Sequence, residues 1–145
     1  MLPKLPATRT NRLKRPDSAE IVYEVTGQGP PLLFAHGLGG NHMSWWQQVP
    51  AFADRFTCIA FSHRGFAPST FPGGAPDPRA YAGDAVALLD ELGVKKVVLV
   101  GQSMGGWTGV ELALAHPERL AGLVLACTTG SLAFDGMGDP EVAAW

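Results

Sequence analysis

Ser103 stands between two glycines in Gly101-Gln102-Ser103-Met104-Gly105-Gly106, and the residue types and spacing suit nucleophilic chemistry. A serine at the apex of a sharp strand-to-helix turn carries its hydroxyl into the open, and G-x-S-x-G is the sequence mark of such an elbow. The glycines answer a steric need, because a Cβ at either flanking position would collide with the strand or the helix. Gly106 extends that relief into the first helical turn. The helix start leaves backbone N–H groups unpaired, and these can face a developing oxyanion. Glycine and serine are common enough that the string alone marks many ordinary loops, so the surrounding elements decide its meaning.

A serine nucleophile needs a base, and the base needs an orienting partner. The histidines are His36, His42, His63 and His116. His116 falls at the far end of the helix that follows Ser103, about 20 Å along at 1.5 Å per residue. It reads as a cation-capable residue at a helix C-terminus, with Pro117 as the stop. His63 is expected two strands from the elbow, roughly 10 Å of sheet width, and His42 falls in a loop. No histidine follows His116. Asp135 and Asp139 are acids beside Gly136 and Gly138, and their plainer reading is loop polarity.

The elements that would position these residues can be read from apolar runs and turn signals. Val97–Val100 is a run suited to a strand covered on both faces. Ala19–Thr26, Leu32–Ala35, Phe56–Phe61 and Leu120–Ala126 read as further strands, the last of them buried. A helix is expected over about Trp45–Arg55, capped by Ser44, with Trp45, Val49 and Phe52 on one face and Pro50 kinking or splitting it. Asp77 and Pro78 open a second helix, which runs to about Leu92 on a stripe of Ala85, Leu88, Leu89 and Leu92 and stops at Gly93. The elbow helix spans about Met104–Ala115. Thr128–Trp145 shows no clear period. The order β-β-α-β-α-β-α-β predicts an α/β protein with a mostly parallel sheet and helices on both faces. His36, His63, Ser103 and the Thr128 region then lie at the carboxyl ends of strands, where such sheets bind ligands.

Composition narrows the partners. The chain has 145 residues, 46% of them apolar, which is enough for one core. A net charge of −2 does not point to nucleic acid. Cys58 and Cys127 both lie in apolar runs and are expected to be buried free thiols, which suits a reducing, cytoplasmic setting. No metal-binding spacing and no apolar run of membrane-spanning length occur. Residues 1–18 are basic and proline-rich, and read as a solvated tail or an edge strand. Trp45, Trp46, Phe66, Met104 and Trp107 could wall an apolar cleft, although core packing explains most such aromatics equally well.

With these elements in place the chain resembles the α/β-hydrolase superfamily over about residues 19–128. Three motifs carry the resemblance, in the family's order: His36-Gly37-Leu38-Gly39-Gly40, Ser62-His63-Arg64-Gly65 and Gly101-Gln102-Ser103-Met104-Gly105-Gly106. It implies a serine hydrolase acting on a small, apolar ester, lactone or related acyl substrate, without cofactor or metal. Ser103 would be the nucleophile, and the backbone N–H groups of Leu38 and Met104 the oxyanion hole. Gly37 and Gly39 would shape the loop at the substrate, with Trp107 beside it, and His36 would anchor that loop. Some members carry the acid of the triad after the strand that ends here at Ala126, which makes Asp135 or Asp139 candidates. Epoxide hydrolases and dehalogenases of this fold use aspartate at the nucleophile position, so the serine implies acyl chemistry. Residues 19–145 would be the N-terminal portion of the core, truncated after about the sixth family strand, with the histidine and lid lying beyond Trp145. A non-catalytic binding module and one half of a two-chain assembly, in which a partner chain completes the sheet, are the alternatives. Ser62, Ala67 and Gln102 depart from the family's usual Asp, Gly and His.

Overall fold

The computed structural model describes residues 7–74 and 77–130. Six strands form one sheet: β1 (Thr8–Lys14), β2 (Glu20–Thr26), β3 (Pro31–Ala35), β4 (Thr57–Phe61), β5 (Val97–Gln102) and β6 (Leu120–Ala126), in the order β1-β2-β4-β3-β5-β6. The pairs β3/β4, β3/β5 and β5/β6 are parallel, whereas β1/β2 and β2/β4 are antiparallel. Parallel neighbours need crossovers, and these are supplied by α1 (Gln48–Phe52), α2 (Tyr81–Glu91) and α3 (Met104–Ala115). Residues 8–14, weighed above as a tail or an edge strand, pair with β2 along their whole length.

Alternation along the strands divides the core between the two faces of the sheet. Leu33 and Ala35 of β3, with Ile59 and Phe61 of β4, meet Leu88, Leu89 and Leu112 on the side of α2 and α3. Leu32 and Phe34, with Cys58 and Ala60, meet Trp45 and Ala53 on the side of α1. Helices therefore cover both faces, as the alternation of strand and helix patterns predicts.

Four local expectations are corrected. The helix placed over Trp45–Arg55 is a 3-10 turn, His42–Trp45, followed by the short α1, and its cap is Asn41, whose side chain accepts from the Met43 N–H. Ser44 is the other half of that capping box and accepts from the Asn41 N–H. His42 is buried within this turn, not part of an open loop. Strand β6 is half-exposed, with Val124 at 48% and Leu125 at 44%, because no further strand or helix covers it among the described residues. Both cysteines are free, but only Cys58 is buried; burial pushes its thiol up to about 11, whereas Cys127 is exposed.

One buried ionic cluster ties the antiparallel end of the sheet to the helices. Arg64, just after β4, donates to both carboxylate oxygens of Asp84 on α2, at 2.7 and 2.6 Å, and to Asp17 in the β1–β2 turn. Arg15 donates to Asp84 as well, at 3.0 Å. Asp84 is 1% exposed and Arg64 5%, so each charge depends on the other for its solvation. Replacing Asp84 by Ala is expected to destabilise the protein by about 3 kcal/mol, since Arg64 stays buried with Asp17 as its remaining acid. Removing the exposed Asp54, which faces Arg55 at 3.4 Å, should cost no more than about 0.5 kcal/mol. Urea midpoints of the two variants compare them directly; equal shifts would refute the assignment.

Candidate active site

Strand β5 delivers the chain to Ser103, and α3 carries it away. Ser103 has φ 52° and ψ −118°, a left-handed conformation that costs a non-glycine residue of order 1–3 kcal/mol. Within the elbow the serine itself, not a flanking glycine, has positive φ. Gly101 and Gly105 are required by space. A Cβ on Gly101 would lie 2.4 Å from the Gly105 carbonyl oxygen, and one on Gly105 would lie 1.9 Å from the Ala35 carbonyl oxygen of β3. The elbow thus presses the start of α3 onto the neighbouring strand.

The loop after β3 folds against this turn. A Cβ on Gly37 would come within 3.1 Å of the Ser103 Cβ and 2.4 Å of the Gln102 Oε1, so the loop and the elbow are in contact. Gln102 therefore lies along the loop. Gly39 has φ 75° and reverses the chain, leaving Leu38 79% exposed. Among the described residues the backbone N–H groups of Leu38 and Met104 have no hydrogen-bond partner. Trp107 lies one turn into α3 and donates its Nε1–H to the Thr129 Oγ1 at 2.9 Å. Of the aromatic residues weighed as cleft wall, Trp45 packs on Phe34 in the core and Phe66 on the His36 ring, while Trp46 is exposed. Asp135 and Asp139 lie outside the described residues.

Each histidine is engaged elsewhere than at Ser103. The His42 Nδ1 is 2.8 Å from the Ser62 Oγ, and its Nε2 faces Glu24 at 3.6 Å. Ser62, which departs from the family pattern, therefore serves as the anchor of His42. His116 caps the end of α3 and faces Glu118 at 3.5 Å. His36 and His63 stack edge to face beneath the loop, with centroids 4.4 Å apart. The His36 Nδ1–H donates to the Gly37 carbonyl at 2.8 Å while its Nε2 accepts the His63 backbone N–H at 2.9 Å. One nitrogen must donate and the other accept, which fixes His36 as neutral. The His63 Nε2 meets the Thr108 Oγ1 of α3 at 2.9 Å, and its Nδ1 is buried without a partner.

Sequence reasoning named none of these partnerships. Asp84 did carry a signal, since it falls in the apolar stripe of α2, four residues before Leu88. The bonds of Ser62 and Thr108 join residues far apart in sequence and had no local signal.

Burial lowers the pKa of His36 and, further, of His63. In the unfolded chain both titrate near 6.5, so the unfolded state binds more protons below that pH. Their contribution to stability is complete above about pH 7 and is lost as pH falls from 6.5 through the lowered native values. Urea midpoints should therefore be flat from pH 8 to 7 and fall between 6.5 and 5.5, and a His63→Phe variant should show a shallower fall. A midpoint that rises over that interval would contradict the neutral pair.

The geometry agrees with comparison to known proteins. Residues 30–143 match the family model of the alpha/beta hydrolase fold. The chain is 36% identical over 107 residues to a putative carbamate hydrolase, RutD, of Azorhizobium caulinodans, covering 74% of this chain and 40% of that protein. It is 38% identical over 106 residues to a fluoroacetate dehalogenase of a Burkholderia species, covering 70% of this chain and 35% of that one. Among solved structures, Est816, described as an N-acyl homoserine lactone degrading enzyme, superposes with a TM-score of 0.77 at 33% identity. That match covers 81% of this chain and 45% of Est816. The chain thus spans less than half the length of each of these proteins. On the matched residues and the sheet order together, the protein belongs to the α/β-hydrolase family.

Proposed function

We propose that this protein supplies the nucleophile and the oxyanion-binding half of a serine hydrolase for small ester, lactone or related acyl substrates. The observation that carries the reading is Ser103 held at φ 52° on the apex of the elbow, against the loop that bears Leu38. The Ser103 Oγ attacks the acyl carbon, its proton passes to a base, and the alkoxide or other leaving group departs to give an acyl-serine. The Met104 N–H, at the positive end of α3, and the Leu38 N–H stabilise the tetrahedral oxyanion. Gly37 and Gly39 keep the loop close to the acyl group, and exposed Leu38 with Trp107 offers it apolar surface. Asp135 or Asp139 is the proposed acid. The relatives' names span carbamate, lactone and fluoroacetate chemistry, and serine at position 103 favours acyl transfer over the aspartate-ester route.

None of the four histidines bonds to Ser103, so no described histidine activates it, and both its acylation and turnover should be slow. Treating the chain with a fluorophosphonate and mapping the adduct by mass spectrometry tests this. One phosphonyl group on Ser103, absent from Ser103→Ala, is expected, with p-nitrophenyl acetate turnover barely above water. Labelling spread over other residues and unchanged in Ser103→Ala would sink the reading.

The half-exposed β6 favours a complementary arrangement, in which another polypeptide segment or a partner chain completes the sheet. Elution as a monomer at every concentration would count against self-pairing.

A further inference from the structure

The chain that follows β6 is laced onto the elbow at several points. Cys127 takes a left-handed conformation, φ 49°, which turns the next residue back towards α3. The Thr128 Oγ1–H donates to the Ser103 carbonyl oxygen at 2.8 Å, and the same oxygen receives the Gly106 N–H at 2.8 Å. The Ser103 N–H donates to Ala126 at 2.9 Å. The Thr128 hydroxyl in turn accepts the Gly130 N–H at 3.2 Å. Gly106 makes room for this side chain, since a Cβ there would lie 2.4–2.6 Å from the Thr128 Oγ1, Cβ and Cγ2.

The geometry points to Thr128 as a positioning residue that aims the Met104 N–H, an inference that rests on the reading of Ser103 and Met104 above. The peptide between Ser103 and Met104 is planar and trans, so its carbonyl and its N–H point in opposite directions. Holding the Ser103 carbonyl oxygen from the β6 side therefore fixes where the Met104 N–H points. Gly106 alone gives that carbonyl one bond from within the helix. The Thr128 hydroxyl adds a second from outside it, and with Ala126 it holds the backbone on both sides of Ser103 in the strained conformation. A fixed donor serves a transition state better than one that must reorient, because no reorganisation is needed as charge develops.

Thr128→Val keeps the shape over Gly106 and removes only the donor, whereas Thr128→Ser keeps the donor. The rate of fluorophosphonate labelling at Ser103 is expected to fall about 10-fold in Thr128→Val, the worth of one hydrogen bond, and about 3-fold at most in Thr128→Ser. Hydrogen exchange gives a readout independent of reactivity: Gly106 should lose protection in Thr128→Val while Leu88 on α2 keeps its own. Equal labelling rates in Thr128→Val and the parent would overturn the inference, as would unchanged exchange at Gly106. If Ser103 labels in no variant, the hydrolase reading fails, and the exchange arm still decides whether Thr128 holds the elbow. Should Thr128→Val not fold, Thr128→Ala is read in its place by the same two measurements.

Discussion

No side-chain carbon fits between Gly105 and the carbonyl oxygen of Ala35, and the rest of the site depends on that contact. It lets the first turn of α3 rest on β3. Ser103 is thereby placed beside the loop that leaves the same strand. Were α3 to stand off by the width of a methyl group, Ser103 and Gly37 would separate. Ser103 adopts its costly backbone conformation because the elements around it are already fixed: β5 and β6 pair in parallel through Gln102 and Ala126, and α3 packs on Leu99 and Leu123 at Gly109.

Buried polar contacts hold the loops at the same edge of the sheet in register. His36 ties the Gly37 carbonyl to the His63 N–H, and His63 reaches Thr108 on α3, so two rings link the loop after β3 to the helix after β5. Arg64 does comparable work one residue further on, between α2 and the β1–β2 turn. Such groups stabilise only when every partner is present, since a buried donor or charge left alone is expensive. The unpartnered Nδ1 of His63 is the mildest form of that cost. If the Nε2 carries the proton to Thr108, what is left over is an acceptor lone pair and not an N–H.

Periodicity and turn chemistry made much of the fold legible. The spans Met104–Ala115 and Leu120–Ala126 could be read to the residue, because the elbow glycines and Pro117 punctuate them sharply. The region around Ser44 was harder: Asn41 and Ser44 are both good caps three residues apart, and only the backbone shows that Asn41 begins the turn. The run Leu120–Ala126 reads as a buried strand, since an apolar run looks alike whether or not a neighbour covers it; only the truncation implied by the resemblance pointed to an open edge there. In the candidate site, Gly37, Leu38, Ser103 and Met104 announced themselves by motif. Thr128 did not, because its hydroxyl matters through a partner 25 residues away that no local pattern encodes.

The two margins of the sheet differ in character. Along β1, Arg9, Arg12 and Lys14 line an outer strand whose residues are nearly all exposed, with Arg12 paired to Glu20 of β2. Along β6 the sequence Leu-Ala-Gly-Leu-Val-Leu-Ala carries no charge whatever. Among the described residues, the antiparallel margin of the sheet is therefore charged, whereas the parallel margin, on the flank nearer Ser103, is apolar and half-exposed.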